Sequence, residues 1–131
     1  MPSTYFDSSA LVKLVLDEEG SAAMRQYILG QDRAVSCSLV RVELPRAVRM
    51  RGANAIEQAR RVLEDLDLVR IDDALLDAAA ALPVSGLRSL DAIHLAAALT
   101  LRSSGLAALV TYDARMARAA GLLGLEVVAP R

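Results

Sequence analysis

Short apolar runs rich in β-branched residues alternate along this chain with longer stretches in which apolar positions return every three or four residues. Runs of the first kind predict buried strands, and stretches of the second kind predict amphipathic helices. Their alternation predicts βαβ units and an α/β fold built on a mostly parallel sheet. The first strand is expected at residues 3–6, with Ser8 capping a helix over 9–16 and a second helix over 19–29 that stops at Gly30. A second strand over 33–36 leads to a helix capped by Ser38, with Val40, Leu44, Ala47 and Val48 on one face. Gly52 closes that helix, and Asn54 caps the next, whose apolar positions are Ile56, Ala59, Val62, Leu63 and Leu66. A third strand over 68–71 precedes a helix from Asp72 or Asp73 to 82, a loop over 83–87 and a long apolar helix over 89–101. A fourth strand at 109–111, a short helix at 114–120 and a last strand at 126–128 complete the pattern.

Composition narrows this picture. A chain of 131 residues that is 54% hydrophobic is expected to form a single domain over residues 1–131 with a substantial core. Aromatics make up only 3%, so Ala, Leu and Val must build that core. No apolar run reaches the roughly 20 residues that span a bilayer. Asp7 interrupts the first apolar run before it could serve as a signal segment, so a cytoplasmic protein without a membrane partner is expected. Cys37 is the single cysteine, which rules out an intrachain disulfide and a thiolate metal cage and fits a small core residue. A net charge of −1 neither favours nor opposes a nucleic-acid partner, although every basic residue except Lys13 is arginine, the better phosphate ligand.

The candidate chemistry lies in four acidic residues. Asp7 and Asp113 each close a predicted strand, where carboxylates point into the crevice at the carboxyl ends of a parallel sheet. Asp91 opens the apolar helix and Glu43 rides on another. Carboxylates held close together need a cation, and an all-oxygen set suits Mg²⁺ or Mn²⁺ rather than zinc. Each residue also has a plain structural reading. Asp7 and Asp113 can cap helices, Asp91 can complement a helix dipole, and Glu43 can pair with Arg46. Ser8 and Thr111 offer hydroxyls beside the strand ends, and Arg46, Arg49 and Arg51 cluster beyond Glu43, where they can follow a phosphate backbone or simply end a helix. His94, the sole histidine, follows Asp91 by one turn; on so apolar a helix a hydrogen-bonded structural role is the plainer reading. No glycine-rich phosphate loop is present, which argues against nucleotide cofactors. Pro45 conflicts with the helix around it: either the helix begins near Leu44 or it kinks just beyond Glu43, the second reading leaving Glu43 aimed at a site.

Asp7-Ser8-Ser9-Ala10-Leu11-Val12-Lys13-Leu14, Val40-x-x-Glu43, Ser89-Leu90-Asp91-Ala92-Ile93-His94-Leu95-Ala96 and Thr111-Tyr112-Asp113 together resemble the PIN-domain ribonucleases, in particular the VapC toxins of bacterial toxin–antitoxin pairs. The likeness spans nearly the whole chain with the motifs in family order, and Pro45 is a departure from it just after Glu43. It implies a three-layer α/β/α architecture with a central five-stranded sheet in the order 3-2-1-4-5. It further implies a Mg²⁺-dependent endoribonuclease, with Mn²⁺ able to substitute, in which Asp7 and Asp91 are the principal metal ligands beside Glu43 and Asp113. The products would carry 5′-phosphate and 3′-hydroxyl ends, the substrate would be a structured RNA such as tRNA, and the partners would be a cognate antitoxin and a second copy of the chain. Two other classes compete. A catalytically silent PIN domain would bind RNA or protein without turnover. A receiver-like signalling module could use Asp72 as phospho-acceptor but finds no lysine after its fifth strand.

Overall fold

The computed structural model describes residues 1–131. Five strands, β1 (Ser3–Phe6), β2 (Arg33–Cys37), β3 (Asp67–Val69), β4 (Leu106–Val110) and β5 (Val127–Val128), form one sheet in the order β3-β2-β1-β4-β5. Every neighbouring pair is parallel. The seven α-helices are α1 (Ser8–Val15), α2 (Ser21–Leu29), α3 (Val40–Val48), α4 (Ala53–Glu64), α5 (Asp73–Ala80), α6 (Ser89–Thr100) and α7 (Ala114–Leu122). They cover both faces, giving the expected three-layer arrangement. No helix is long and apolar enough to cross a membrane.

Alternation along β1 divides the core. Tyr5 packs with Val35, Cys37, Leu95, Leu109 and Met116 under α5, α6 and α7. Its neighbour Phe6 points the other way and packs with Leu11, Met24, Leu44 and Val110 under α1, α2, α3 and α4. All four residues of β1 are buried, as a central strand covered on both faces requires. Phe6 lies level with Val110 in the β1–β4 ladder, and the Asp7 amide donates to the Val110 carbonyl at 3.2 Å. That register carries Asp7 and Thr111 off the ends of adjacent strands side by side.

Several boundaries differ from the sequence expectation for identifiable reasons. Asp7, not Ser8, caps α1, its Oδ1 accepting from the Ala10 amide. Ser38 caps nothing; its hydroxyl donates to the Val69 carbonyl at 3.3 Å, and α3 starts through tight-turn bonds from Arg41 to Ser38 and from Val42 to Leu39. Asn54 lies inside α4, whose N-cap is Gly52 at φ 98°, a conformation that side chains resist. Ala47 and Ile56 are exposed rather than part of the apolar faces assigned to them. β4 begins three residues earlier than the apolar run suggests, because Leu106 and Ala108 pair with β1 despite the helical leaning of alanine. β3 starts at Asp67, which pairs with Val35 and whose carboxylate meets Arg33 at 2.7 Å. It stops at Val69, level with the last residue of β2. Pro45 sits inside α3, which starts upstream of Glu43, so the reading in which the helix begins near Leu44 does not hold. The carbonyl deprived of its usual partner belongs to Arg41, an exposed position.

Candidate active site

The carboxyl ends of β1 and β4 are the natural place for a site, because the strand order reverses direction between them. Asp7 leaves β1 there almost fully buried, at 3% exposure. Its Oδ1 accepts from the Ser9 hydroxyl at 2.6 Å and the Ala10 amide at 3.1 Å, and its Oδ2 accepts from the Thr111 hydroxyl at 2.5 Å. Burial raises the Asp7 pKa, while the bonds from Ser9 and Thr111 pull against that rise. The Thr111 oxygen also accepts the Asp113 amide at 3.0 Å, and the Ser9 oxygen accepts the Tyr112 amide at 2.9 Å. Two hydroxyls thus tie the end of β1 to the turn after β4. Ser9 was not among the residues singled out from sequence, where Ser8 was preferred; Ser8 makes no side-chain hydrogen bond, and the i+2 hydroxyl after an Asp cap was the available signal.

Asp113 plays two parts. Its Oδ1 accepts the Arg115 and Met116 amides at 2.8 and 3.2 Å and so caps α7, leaving Oδ2 outside the cap. That oxygen lies 3.8 Å from Arg88 Nη2, and Arg88 Nε lies 3.6 Å from Asp91 Oδ2. Asp91, in the first turn of α6, buries Oδ2 with no hydrogen-bond partner at all. Its pKa is raised by burial and by repulsion from Asp113, against the pull of Arg88. A buried carboxylate oxygen with no donor is an unmet demand for positive charge or a proton.

Glu43 reaches the site from α3 by way of His94 on α6. The His94 Nε2–H donates to Glu43 Oε1 at 2.6 Å, while Nδ1 is bonded to the Tyr5 hydroxyl at 2.7 Å and lies 3.7 Å from the Cys37 sulfur. His94 is buried between these partners. Burial alone would lower its pKa, but the contacts to Cys37 and Glu43 outweigh it and raise the value to about 10. Cys37 is pushed up by burial and brought below the usual thiol range by His94. We assign the larger part of the imidazolium stabilisation to Glu43, because a carboxylate at 2.6 Å is a far stronger acceptor than sulfur at 3.7 Å. His94 is therefore a hydrogen-bonded structural cation, and the charge it carries also draws down Asp7 and Asp91.

The four sequence candidates are linked rather than fused into one cluster. Asp7 and Asp113 share Thr111, Asp113 and Asp91 share Arg88, and Glu43 joins through His94, one turn beyond Asp91 on α6. No three His, Cys, Asp or Glu side chains converge into a ready-made metal centre. The donor set nevertheless fits a hard divalent cation: its free atoms are carboxylate oxygens, Asp91 Oδ2 lacks a partner, and burial works against the negative charge on Asp7 and Asp91. Arg46 and Arg49 are exposed on and just after α3 and touch none of these carboxylates. Two further arginines, Arg115 and Arg118, line a cleft of about 290 Å³ with residues 83–87, next to the Asp113 cap.

A five-stranded parallel sheet with carboxylates at its switch point defines an α/β protein with an acidic site at the carboxyl ends of its central strands. The PIN domain family model matches residues 4–122. Ribonuclease VapC46 of Mycobacterium tuberculosis is 46% identical over 99% of both chains, and Ribonuclease VapC35 of the same organism is 44% identical over 96% of both. Among solved structures, M. tuberculosis VapC20, a toxin that cleaves the sarcin–ricin loop, superposes with a TM-score of 0.75 at 15% identity over 97% of this chain and 99% of that one. A toxin–antitoxin complex from Klebsiella pneumoniae superposes at 0.71 with 22% identity over 98% of both chains. At such identities the superpositions speak for the fold alone. The chain belongs to the PIN-domain family, among the VapC proteins.

Proposed function

We propose that this chain is a Mg²⁺-dependent endoribonuclease toxin, hydrolysing RNA phosphodiesters to 5′-phosphate and 3′-hydroxyl ends and held in check by a cognate antitoxin. The observation that carries the reading is the buried, donor-less Asp91 Oδ2 facing Asp113, beside a buried Asp7 at the next strand end. The ribonuclease names of relatives at 44–46% identity support it. Asp7 and Asp91 would be the principal ligands, with Glu43 and Asp113 beside them. A bound Mg²⁺ or Mn²⁺ would supply charge neutralisation at the phosphodiester and an acidified water.

The chain's own residues prepare that chemistry. Ser9, Thr111 and the Ala10 amide hold Asp7 in one orientation, so little side-chain freedom remains to be lost on ligand binding. His94 holds Glu43 by Oε1 and leaves Oε2 without a protein partner. Arg46 and Arg49 on one side, with Arg115 and Arg118 on the other, offer guanidinium forks to an RNA backbone. With so few aromatics for base stacking, RNA shape would set the preference, which favours a structured target such as tRNA. We take residues 1–131 as a single PIN domain acting in the cytoplasm as a homodimer.

One observation favours a second reading, a silent domain that binds RNA or protein: Glu43 is already engaged by His94, and no three ligands converge. A single experiment separates the two. Wild type and Asp7→Asn are incubated with bulk tRNA and with total RNA, in Mg²⁺ or in chelator, and new 5′-phosphate ends are sequenced. The nuclease reading expects metal-dependent cuts that vanish in the variant. RNA retention without metal-dependent ends would establish the silent module instead.

A further inference from the structure

Arg88 is the residue whose placement the reaction leaves unexplained. It forms the N-cap position of α6 with an extended backbone, makes no capping bond, and is 66% exposed. Nothing holds its guanidinium except two carboxylate oxygens, at 3.6 Å on Asp91 and 3.8 Å on Asp113. Both separations exceed hydrogen-bonding range, so the attraction is one of charge without a directional lock. Neither oxygen accepts a hydrogen bond from the protein, since the Asp113 cap uses Oδ1 and Asp91 Oδ2 has no donor.

We infer that Arg88 competes with the divalent cation for the Asp91–Asp113 pair, acting as a tethered stand-in that must leave before the metal can bind. This rests on the metal-dependent reading above. A guanidinium supplies one positive charge at nearly 4 Å, whereas Mg²⁺ supplies two at about 2.1 Å, so the ion displaces the side chain while paying the repulsion between them. The tether thereby sets how much metal the protein needs. It also offsets part of the charge of the acidic pair when none is bound.

Mn²⁺ is titrated by calorimetry, without RNA, into wild type, Arg88→Gln, Arg88→Lys and Asp91→Asn. Arg88→Gln is expected to bind Mn²⁺ about three- to tenfold more tightly than wild type, with the gap narrowing as salt rises. Arg88→Lys keeps the charge and is expected to fall between the two. Because the side chain is largely exposed, urea midpoints should stay close to wild type and confirm that folding is intact. Equal or weaker Mn²⁺ binding by Arg88→Gln, with wild type binding and Asp91→Asn not, overturns the competition and leaves the nuclease reading standing. If wild type itself takes up no Mn²⁺, the metal reading fails and the competition falls with it.

Discussion

The bond between His94 and Glu43 allows a sharp experiment, because His94 is the only histidine and its Cε1–H proton gives one unambiguous signal to follow. The perturbation is Glu43→Gln, which keeps an acceptor oxygen and the side-chain volume but removes the charge. In wild type the His94 pKa stands at about 10 against an ordinary 6.5, raised by its partners against the effect of burial. At about 1.36 kcal/mol per unit, a shift of that size bounds the stabilisation of the imidazolium at roughly 5 kcal/mol. Breaking one side of a buried ion pair costs about 3–5 kcal/mol, a compatible magnitude. The sign follows from the raised value: the contribution is fully present below the unfolded pKa near 6.5 and is lost as pH climbs through about 10. Between about pH 7 and about pH 9 the stability advantage of wild type over the variant should therefore shrink by roughly 2–3 kcal/mol. The assay pairs the imidazole titration with urea unfolding at both pH values, in chelator, so that no metal contributes. In the variant the imidazole should titrate near or below its ordinary value, since burial then acts with less opposition. Cys37→Ala provides the control, and with sulfur at 3.7 Å it should move the titration less than Glu43→Gln does. A wild-type imidazole that titrates near 6.5, or a titration unmoved by Glu43→Gln, would refute the assignment of His94 as a standing cation.

Other consequences follow from the same contacts. Thr111→Val keeps the shape but removes the donor to Asp7 Oδ2 and the acceptor for the Asp113 amide, and should cost about 1–3 kcal/mol in urea unfolding; a loss below about 0.5 kcal/mol would mean the 2.5 Å bond contributes nothing net. Asp91→Asn in chelator should raise the melting temperature by about 1–3 °C near neutral pH, a small gain because solvent screens this partly open group. The sign comes from the raised pKa of Asp91: the charged form is disfavoured on folding, so the gain should fade as acid protonates the wild-type carboxyl, and a lowered melting temperature at neutral pH would contradict it. Leu44→Ala, fully buried next to Glu43, should cost about 2–5 kcal/mol, whereas Ala47→Lys, on the exposed side of the same helix, should stay within about 0.5 kcal/mol. Equal effects at the two positions would mean that α3 packs through a different face.

What the sequence revealed about this molecule, and what it hid, divides along the range of the interactions involved. Order and type of the elements were legible because a strand buried on both faces is mostly apolar, as in Leu106-Ala107-Ala108-Leu109-Val110, and a half-buried helix has to repeat its apolar positions. Element starts were less legible because a cap depends on one residue's backbone angles. Asp7 with its ψ of 178° takes the cap that Ser8 was also suited to, and Gly52 takes the one that Asn54 was suited to. The strand-end carboxylates could be found because topology alone brings Asp7 and Asp113 to one edge of the sheet. The long-range pairings within the site could not. Tyr5 and His94 are 89 residues apart, Glu43 and His94 are 51 apart, and Asp7 and Thr111 are 104 apart. No local periodicity records such pairs.

The same difference in range accounts for how the site divides its cations. His94 is locked between Tyr5, Cys37 and Glu43, so a charge on its ring is held in place by the fold. Arg88 stands at the end of an exposed connection and meets its carboxylates only at ion-pair distance, so its charge can withdraw. A site that kept both cations fixed would repel a metal, and a site with neither would leave Asp7, Asp91 and Asp113 uncompensated whenever the metal was absent. One buried cation and one that can be displaced would reconcile stability without metal with the divalent-ion binding proposed above.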